Sequence, residues 1–362
     1  RRVGAGPQWS SACPADPSAA GWGPMSKRIR RSPLGKSLQR AVTAMTRATL
    51  RSGSRVAGEM AGKLAKQAVD AATAQLRPPP GPGDWISGQA IGAGGMRRFF
   101  LFRPPGVAIA ERLPLMVMLH GCGQTAASFA RSTRMNRLAV RERFLVLYPE
   151  QDRRVNPQGC WDWYGTVTRQ AHAEASTLMA AIDQACLLYP VDPAAIGIAG
   201  LSAGAGMAAL LATLHPERFR ALVMHSGVAP GAAHSAASAL AAMGGRREPD
   251  LPALAQPLPP LLVIQGDRDL VVAPANGMAA AQSWAAASGA VAMKPRVMRR
   301  GMRYPATVTD FKFKRRTIAS LCLIEGLGHA WSGGDARQPF SDVKGPDASK
   351  MAWAFVARQL PA

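Results

Sequence analysis

Seven short, strongly apolar segments recur between residues 98 and 325, and they constrain the fold more than any other feature of the sequence. Several are continuous runs of aliphatic residues, as expected for strands that are covered on both faces. Segments suited to helices lie between them, an order typical of a mostly parallel sheet. The predicted strands are 98–103, Leu115–Leu119, Phe144–Tyr148, Ile196–Ala199, Ala221–His225, Leu261–Gln265 and Ser320–Glu325.

This pattern predicts an α/β fold, with a central parallel sheet covered by helices on both faces. Helices are expected at 203–214 and at 347–359, the latter near the C-terminus. The 362 residues are enough for one large α/β domain with additional segments. No stretch approaches the roughly 18 uninterrupted apolar residues that suggest a membrane span. The sequence therefore does not read as that of a membrane protein.

The chain divides into four parts by composition. Residues 1–24 lack periodicity and are predicted to be a non-native or disordered leader, with translation starting at Met25. Residues 25–77 form a basic, partly helical extension, and residues 78–85 form a Pro/Gly linker. The α/β domain occupies residues 86–362. No compact apolar signal sequence follows Met25, which leaves a cytoplasmic location open.

Positive charge is concentrated in two segments. The chain carries 44 Lys and Arg against 22 Asp and Glu, a formal charge of +22. Residues 25–77 hold twelve basic residues, and residues 294–316 hold nine against Asp310 alone. The first segment is interpreted as either a solvated extension or a contact for an anionic polymer, granule or lipid surface. The second is interpreted as an edge hairpin, and no nucleic-acid-binding module accompanies either.

The strongest local motif is Gly200-Leu201-Ser202-Ala203-Gly204, which lies between a predicted strand and a predicted helix. In a G-x-S-x-G elbow the chain turns sharply and presents the serine hydroxyl at the carboxyl edge of the sheet. Ser202 is therefore the candidate nucleophile. A serine of this kind needs a base, which is itself oriented by an acid.

The acid and the base are expected downstream of the serine, in that order. Asp267 and Asp269 both follow the strand Leu261–Gln265 and compete for the role of acid, and Asp269 is favoured. His329 follows the strand Ser320–Glu325 within a glycine-rich loop, so it is the candidate base. Four other histidines lack such a placement: His172, His215, His225 and His234.

An oxyanion hole is predicted from two backbone N–H groups. The loop His120-Gly121-Cys122-Gly123-Gln124 follows an early strand, the position that supplies one such donor in hydrolases of this type. Ala203, directly after the serine, supplies the other.

Taken together, these segments resemble the esterase/polyhydroxybutyrate (PHB) depolymerase family of the α/β-hydrolase superfamily, over about residues 86–357. The resemblance rests on five motifs in order: 119–124 (LHGCGQ), 148–151 (YPEQ), 159–164 (GCWDWY), 200–205 (GLSAGA) and 328–331 (GHAW). It implies an extracellular serine esterase that hydrolyses short-chain hydroxyalkanoate polyesters or related esters. It implies no metal and no organic cofactor.

The same resemblance assigns further residues. Cys122 is expected to contribute its N–H group to the oxyanion hole, and Cys122 and Cys160 are expected either to form a disulfide or to remain buried thiols. The resemblance also supports Asp269 over Asp267 as the acid, although Gln265 stands where many members have histidine. The expected substrate-binding residues are Trp161, Trp163, Tyr164 and Trp331.

Two other functions remain open at this stage. A carbohydrate esterase of the feruloyl or acetylxylan type would use the same catalytic residues, with only the groove differing. A protein of another class would attach to a polymer or granule surface through residues 25–77. The sequence does not determine the oligomeric state.

Overall fold

The computed structural model describes residues 79–108, 110–251 and 256–361. The predicted leader 1–24 and the basic extension 25–77 lie outside these ranges, so their interpretation stays a prediction. Within the described part of the chain, no helix combines the length and the apolar character that crossing a membrane requires.

Seven helices and thirteen strands are described, counting α-helices alone and numbering each kind in chain order. The strands are β1 Asp84–Gly92, β2 Gly95–Arg103, β3 Leu113–Leu119, β4 Leu145–Glu150, β5 Val191–Leu201, β6 Ala221–His225, β7 Leu261–Gly266, β8 Val291–Ala292, β9 Arg296–Met298, β10 Ala306–Phe313, β11 Arg316–Ile324, β12 Trp331–Ser332 and β13 Ser341–Asp342. The helices are α1 Ala126–Thr133, α2 Met135–Glu142, α3 Gln170–Leu188, α4 Ala203–Leu214, α5 Ala236–Met243, α6 Ala275–Ala286 and α7 Ala348–Ala357.

Eleven strands form one sheet in the order β1-β2-β4-β3-β5-β6-β7-β11-β10-β8, with β9 paired to β10. The six central strands, from β4 to β11, run parallel to their neighbours. The strands at both edges are antiparallel. All seven predicted strands are present, and they form the centre of the sheet.

Helices cover both faces of the sheet, as the continuous apolar strands predict. In β3, Leu115 and Val117 pack on one face and Met116 and Met118 on the other, because neighbouring strand residues point in opposite directions. The first face is covered by α3 to α6. The second is covered by α1, α2 and α7.

The basic segment 294–316 contributes β9 and β10 to the edge of the sheet. Strand β10 pairs with β11 as an antiparallel hairpin, with the turn at Lys314 and Arg315. The expected edge hairpin is thus present, and its second strand is the one that leads towards His329.

Candidate active site

The serine elbow is held in a backbone conformation that few residues adopt. Ser202 lies between β5 and α4 with φ of 57° and ψ of −123°, a strained region for a residue with a side chain. A Cβ atom on Gly200 would lie 2.2 Å from the carbonyl oxygen of Gly204, and one on Gly204 would lie 2.2 Å from that of Leu119. Glycine at both positions therefore allows the close approach that presents the partly exposed Ser202 at the end of the strand.

The structure joins His329 to Asp269. The Nδ1 atom of His329 lies 2.8 Å from Oδ2 of Asp269, whose carboxylate is fully buried. The other oxygen of Asp269 accepts hydrogen bonds from the N–H groups of Val271 and Val272, at 2.9 and 2.8 Å. Burial alone would raise the pKa of Asp269, but His329 and these two N–H groups outweigh it and lower that pKa below its usual value. The carboxylate is therefore held ionised beside the imidazole.

Asp267 has a different position. Its side chain is exposed, and Oδ1 accepts a hydrogen bond from the N–H group of Gly326 at 2.6 Å. This contact ties the end of β7 to the loop that leads to His329. Of the two competing aspartates, the structure places Asp269 on the imidazole and leaves Asp267 in the turn.

His225 lies beside the elbow, at the end of the strand next to β5, and sequence reasoning missed it. It ends β6, and its carbonyl oxygen accepts the N–H group of Ser202 at 2.9 Å. Its fully buried Nε2 accepts the N–H group of Ser332 at 3.1 Å, so the ring proton is on Nδ1, which lies 3.2 Å from the hydroxyl of Ser226. The sequence feature that could have identified His225 is its position at the end of β6, the strand next to β5 in the sheet.

The His225 ring is electrically neutral. Burial, with a smaller contribution from the charge of His329, lowers its pKa to about 3, while Asp269 has the opposite effect. His225 ends β6, which lies in the sheet between β5 and β7. Ser202 follows β5, Asp269 follows β7 and His329 follows β11, so all three lie at the carboxyl edge formed by these neighbouring parallel strands.

The predicted oxyanion loop is fixed by internal hydrogen bonds. Gly121 donates its N–H group to Oε1 of Gln124 at 2.9 Å. The buried His120 ring contacts the carbonyl oxygen of Gly121 through Nδ1 at 2.9 Å, and its Nε2 accepts the N–H group of Gln151 at 3.1 Å. Burial lowers the pKa of His120 to about 4, so this imidazole is neutral. His120 is thus a structural element of the loop.

A disulfide joins Cys122 in this loop to Cys160, 38 residues later. Of the two arrangements that the sequence leaves open, the structure contains the bridge. Among the described residues, the N–H groups of Cys122 and Ala203 donate no hydrogen bond to protein. Two backbone donors therefore remain available near Ser202.

A buried ion pair fixes the segment around Cys160, the second cysteine of the disulfide. Glu174 in α3 accepts hydrogen bonds from Arg97 at 2.8 Å, from Gln151 at 2.5 Å and from the N–H group of Asp162 at 2.7 Å. Gln151 also donates to the carbonyl oxygen of Cys160 at 3.0 Å. Because both side chains of this ion pair are only 2–3% exposed, the contacts of Glu174 fix the chain around Cys160 in the interior.

Two of the four expected substrate-binding aromatic residues lie in the core. Trp161 and Trp331 have no exposed surface. The indole N–H of Trp161 donates to the carbonyl oxygen of His120 at 2.8 Å, and that of Trp331 donates to Ser349 at 3.1 Å. Both side chains are therefore fully engaged by protein, and the expectation that they line a groove is wrong for this structure.

Trp163 and Tyr164 lie nearer the surface. Trp163 is 7% exposed and packs against Gly206 of α4, where a Cβ atom would lie 2.9 Å from its ring. Tyr164 is half-buried and meets Trp163 edge to face, with 5.4 Å between the ring centroids. These two remain candidates for contact with a substrate.

Phe340 is an exposed aromatic residue beside the oxyanion loop that the sequence analysis did not identify. It is 45% exposed and has φ of +55°, an outlier for a bulky residue. A Cβ atom on Gly123 would lie 4.0 Å from its ring, and its carbonyl oxygen accepts the N–H group of Trp331 at 2.8 Å. Leu270, next to Asp269, is 92% exposed. Apolar side chains thus flank both the predicted oxyanion loop and Asp269.

Within residues 79–361, apart from the undescribed Ile109 and 252–255, no three His, Cys, Asp or Glu side chains are grouped as metal ligands would be. The chemistry available here is that of a serine, an imidazole, a carboxylate and two backbone donors. Such a set suits acyl transfer through a covalent intermediate.

Comparison with known proteins gives a family match over most of the sheet. The model of the family described as esterase PHB depolymerase matches residues 97–304, more than half of the chain. Poly(3-hydroxyalkanoate) depolymerase C of Paucimonas lemoignei is 30% identical over 189 residues, which are 49% of this chain and 45% of that protein. Feruloyl esterase B of Neurospora crassa is 31% identical over 133 residues, 36% of this chain and 44% of that protein. The matched part thus spans less than half the length of these curated relatives.

Among solved structures, an acetyl xylan esterase from Aspergillus awamori superimposes with a TM-score of 0.57 at 19% identity. The alignment covers 69% of this chain and 94% of that chain. At this identity the likeness concerns the fold, which is that of an α/β-hydrolase.

Proposed function

Because this chain belongs to the esterase PHB depolymerase family, we propose that it is a serine carboxylic-ester hydrolase of the PHB depolymerase type. Its proposed substrates are short-chain hydroxyalkanoate polyesters and related esters. The observation that carries the proposal is the 2.8 Å contact between His329 and Asp269, on the same sheet edge as the strained Ser202.

In the proposed mechanism, Oγ of Ser202 attacks the carbonyl carbon of the ester while Nε2 of His329 takes its proton. Asp269 holds the imidazole through Nδ1 and stabilises the imidazolium. The N–H groups of Cys122 and Ala203 stabilise the oxyanion. The leaving alcohol then takes the proton from His329, which leaves an acyl group on Ser202. Water attacks this ester with His329 again acting as base, and the acid product is released.

The apolar surroundings support a substrate that carries methyl groups. Phe340 and Leu270 are exposed on two sides of the site, and Tyr164 is half-buried close to Trp163. Flat aromatic faces and aliphatic side chains suit the methyl-bearing units of a polyester. Phe340 and Leu270 thus replace Trp161 and Trp331 in the proposed groove.

The Ser202→Ala variant tests the proposed nucleophile. It is expected to lose release of p-nitrophenol from p-nitrophenyl acetate and of 3-hydroxybutyrate from PHB, because no acyl-enzyme can form. A circular dichroism spectrum matching the unsubstituted protein serves as the control for folding. Hydrolysis retained at more than a few per cent would remove Ser202 from the mechanism.

A carbohydrate esterase is the second candidate, and it is favoured by the feruloyl and acetylxylan esterases among the relatives. A panel of PHB, short p-nitrophenyl esters, methyl ferulate and acetylated xylan separates the two functions. Faster turnover of methyl ferulate or acetylxylan than of PHB would favour the carbohydrate esterase.

We also propose that the enzyme works outside the reducing cytosol. The disulfide between Cys122 and Cys160 supports this location, since such bonds persist in oxidising compartments. The contact of residues 25–77 with an anionic surface stays a prediction. Removal of these residues would abolish salt-sensitive binding to polymer or granules if that prediction is right.

A further inference from the structure

A concave site lies among helices α1 and α2 and the loop between β12 and β13. It is a cavity of about 220 Å³, and Pro79 and Pro80 form part of its wall. None of Ser202, Asp269 and His329 lines it. Its volume is enough for a small ligand rather than for a polymer chain.

Arginine dominates the lining of this cavity. Four arginines line it, Arg131, Arg134, Arg137 and Arg337, and Asp335 is the one acidic residue among the described residues of its lining. The described residues of the lining therefore carry a formal charge of +3. Cationic groups gathered in a concave site repel one another and attract anions more strongly than the same groups spread over an open surface.

Part of this charge is already engaged. Arg337 contacts both carboxylate oxygens of Asp335, at 3.1 and 2.9 Å. Arg134 donates to the carbonyl oxygens of Gly333 and Gly334, which anchors the loop without neutralising the cation. Arg137 is exposed and forms no ion pair with any described residue. At least one guanidinium fork is thus open to an incoming anion.

A buried amide points to a ligand as well. Asn136 is 6% exposed and lines the cavity. The hydroxyl of Tyr148 donates to its Oδ1 atom at 2.7 Å, which fixes the orientation of the amide. Its Nδ2 atom donates no hydrogen bond to a described residue. An amide donor that lines the cavity beside arginines is suited to an oxygen ligand.

We propose that this cavity binds a small oxyanion, a carboxylate or a phosphate, through Arg137, Arg337 and the Nδ2 atom of Asn136. The planar guanidinium group matches the paired oxygens of such an anion, and the amide supplies a neutral donor at the buried end. The bound anion connects α2 to the loop that follows β12, which begins only a few residues after His329. Its occupancy therefore stabilises the part of the chain that carries the proposed base.

Thermal unfolding of the full chain tests the proposal, with chloride, phosphate or 3-hydroxybutyrate compared at equal ionic strength. Both oxyanions are probes of the same site: a larger rise in Tm with 3-hydroxybutyrate identifies a carboxylate ligand, and a larger rise with phosphate identifies a phosphate ligand. The unsubstituted protein is expected to show a saturable rise with at least one of them, because a ligand of the native state stabilises it.

Two variants and a control locate the binding. Arg137→Ala is expected to raise the dissociation constant by about tenfold, the effect of losing one charge-assisted contact. Asn136→Asp keeps an acceptor for Tyr148 but places negative charge in the cavity, so it is expected to abolish the rise. Arg299→Ala removes an exposed arginine outside the cavity and is expected to respond like the unsubstituted protein.

Because the basic residues 25–77 are present in every variant, only the difference between variants reports on the cavity. Responses of Arg137→Ala and Asn136→Asp equal to that of Arg299→Ala would overturn the proposal. So would a Tm that rises no further with either oxyanion than with chloride. Neither outcome would affect the proposed ester hydrolysis, since the Ser202→Ala test uses other residues.

Discussion

At the scale of single residues, two aspartates separated by one residue have different surroundings. Asp269 is buried and accepts hydrogen bonds from His329, Val271 and Val272, whereas Asp267 is exposed and caps the N–H group of Gly326. Asp269→Asn is expected to lower kcat for p-nitrophenyl acetate by on the order of 10³–10⁴, because an amide cannot hold the imidazole in the required tautomer.

Asp267→Asn is the matched control for that substitution. It removes the same charge two residues away but leaves the contact with His329 intact, so kcat is expected to change by less than about tenfold. A larger loss in Asp267→Asn than in Asp269→Asn would reverse the assignment of the acid.

Phe340 is expected to affect binding more than chemistry. Its ring lies beside Gly123, next to a proposed oxyanion donor, but carries no group that takes part in proton transfer. Phe340→Ala is therefore expected to raise KM for a p-nitrophenyl butyrate substrate several-fold, about 1 kcal/mol, with kcat nearly unchanged.

Phe313 in β10 is equally exposed, at 45%, and lies in the edge hairpin, so Phe313→Ala controls for loss of an exposed aromatic side chain. It is expected to leave KM unchanged. Equal values of KM in the two variants would contradict the proposed role of Phe340.

At the scale of elements, the disulfide joins the predicted oxyanion loop to the segment that carries Trp161. The bond closes 38 residues, for which the loss of chain entropy in the unfolded state corresponds to about 4 kcal/mol. The double variant Cys122→Ala, Cys160→Ala is expected to lower the free energy of unfolding by up to this amount, as measured by urea denaturation.

Activity is expected to fall less steeply in this double variant. The proposed oxyanion donor at residue 122 is a backbone N–H group, which alanine retains, and the loop keeps the hydrogen bond between Gly121 and Gln124. Cys186→Ala, which removes a half-buried free thiol, is the control and is expected to change stability little. Unchanged stability in the double variant would show that the bond does not constrain the unfolded chain.

At the scale of the whole molecule, two buried neutral histidines make stability depend on pH. The pKa of His120 is lowered to about 4 and that of His225 to about 3, in both cases chiefly by burial, from a value near 6.5. As pH falls below 6.5, the unfolded chain takes up protons that the folded protein excludes. Each histidine therefore lowers the free energy of unfolding by up to about 1.4 kcal/mol per pH unit until its folded pKa is reached.

The free energy of unfolding is accordingly expected to be greatest above pH 6.5 and to decrease between pH 6.5 and about 3. Urea denaturation at several pH values measures this slope. The variant His225→Asn lacks one of the two groups, so unfolding takes up about one proton fewer. The free energy of unfolding is therefore expected to fall less steeply with decreasing pH, by up to about 1.4 kcal/mol per pH unit, whatever the stability at pH 7. An unchanged slope would mean that His225 already binds its proton in the folded state.

The sequence by itself determined the central sheet, its parallel order and the serine elbow. Strands made of continuous apolar residues are uncommon on a surface, because both of their faces must be buried. They therefore lie in the middle of a sheet that helices cover on both faces. The glycines around Ser202 signal a close approach that the structure shows at 2.2 Å for both Gly200 and Gly204. Local residue types carry these features, and no distant contact is needed to recognise them.

Tertiary structure alone decided which polar and aromatic groups meet. His225, Glu174 and Phe340 lack a local motif, because their positions depend on neighbours that are remote in sequence: Ser332, Arg97 and Gly123. Trp161 and Trp331 are aromatic residues of the kind that often line a substrate groove, but here both side chains are fully buried in the core. The sequence thus indicated the candidate nucleophile, acid and base, whereas the packing of the sheet and its loops determined which side chains remain exposed around them.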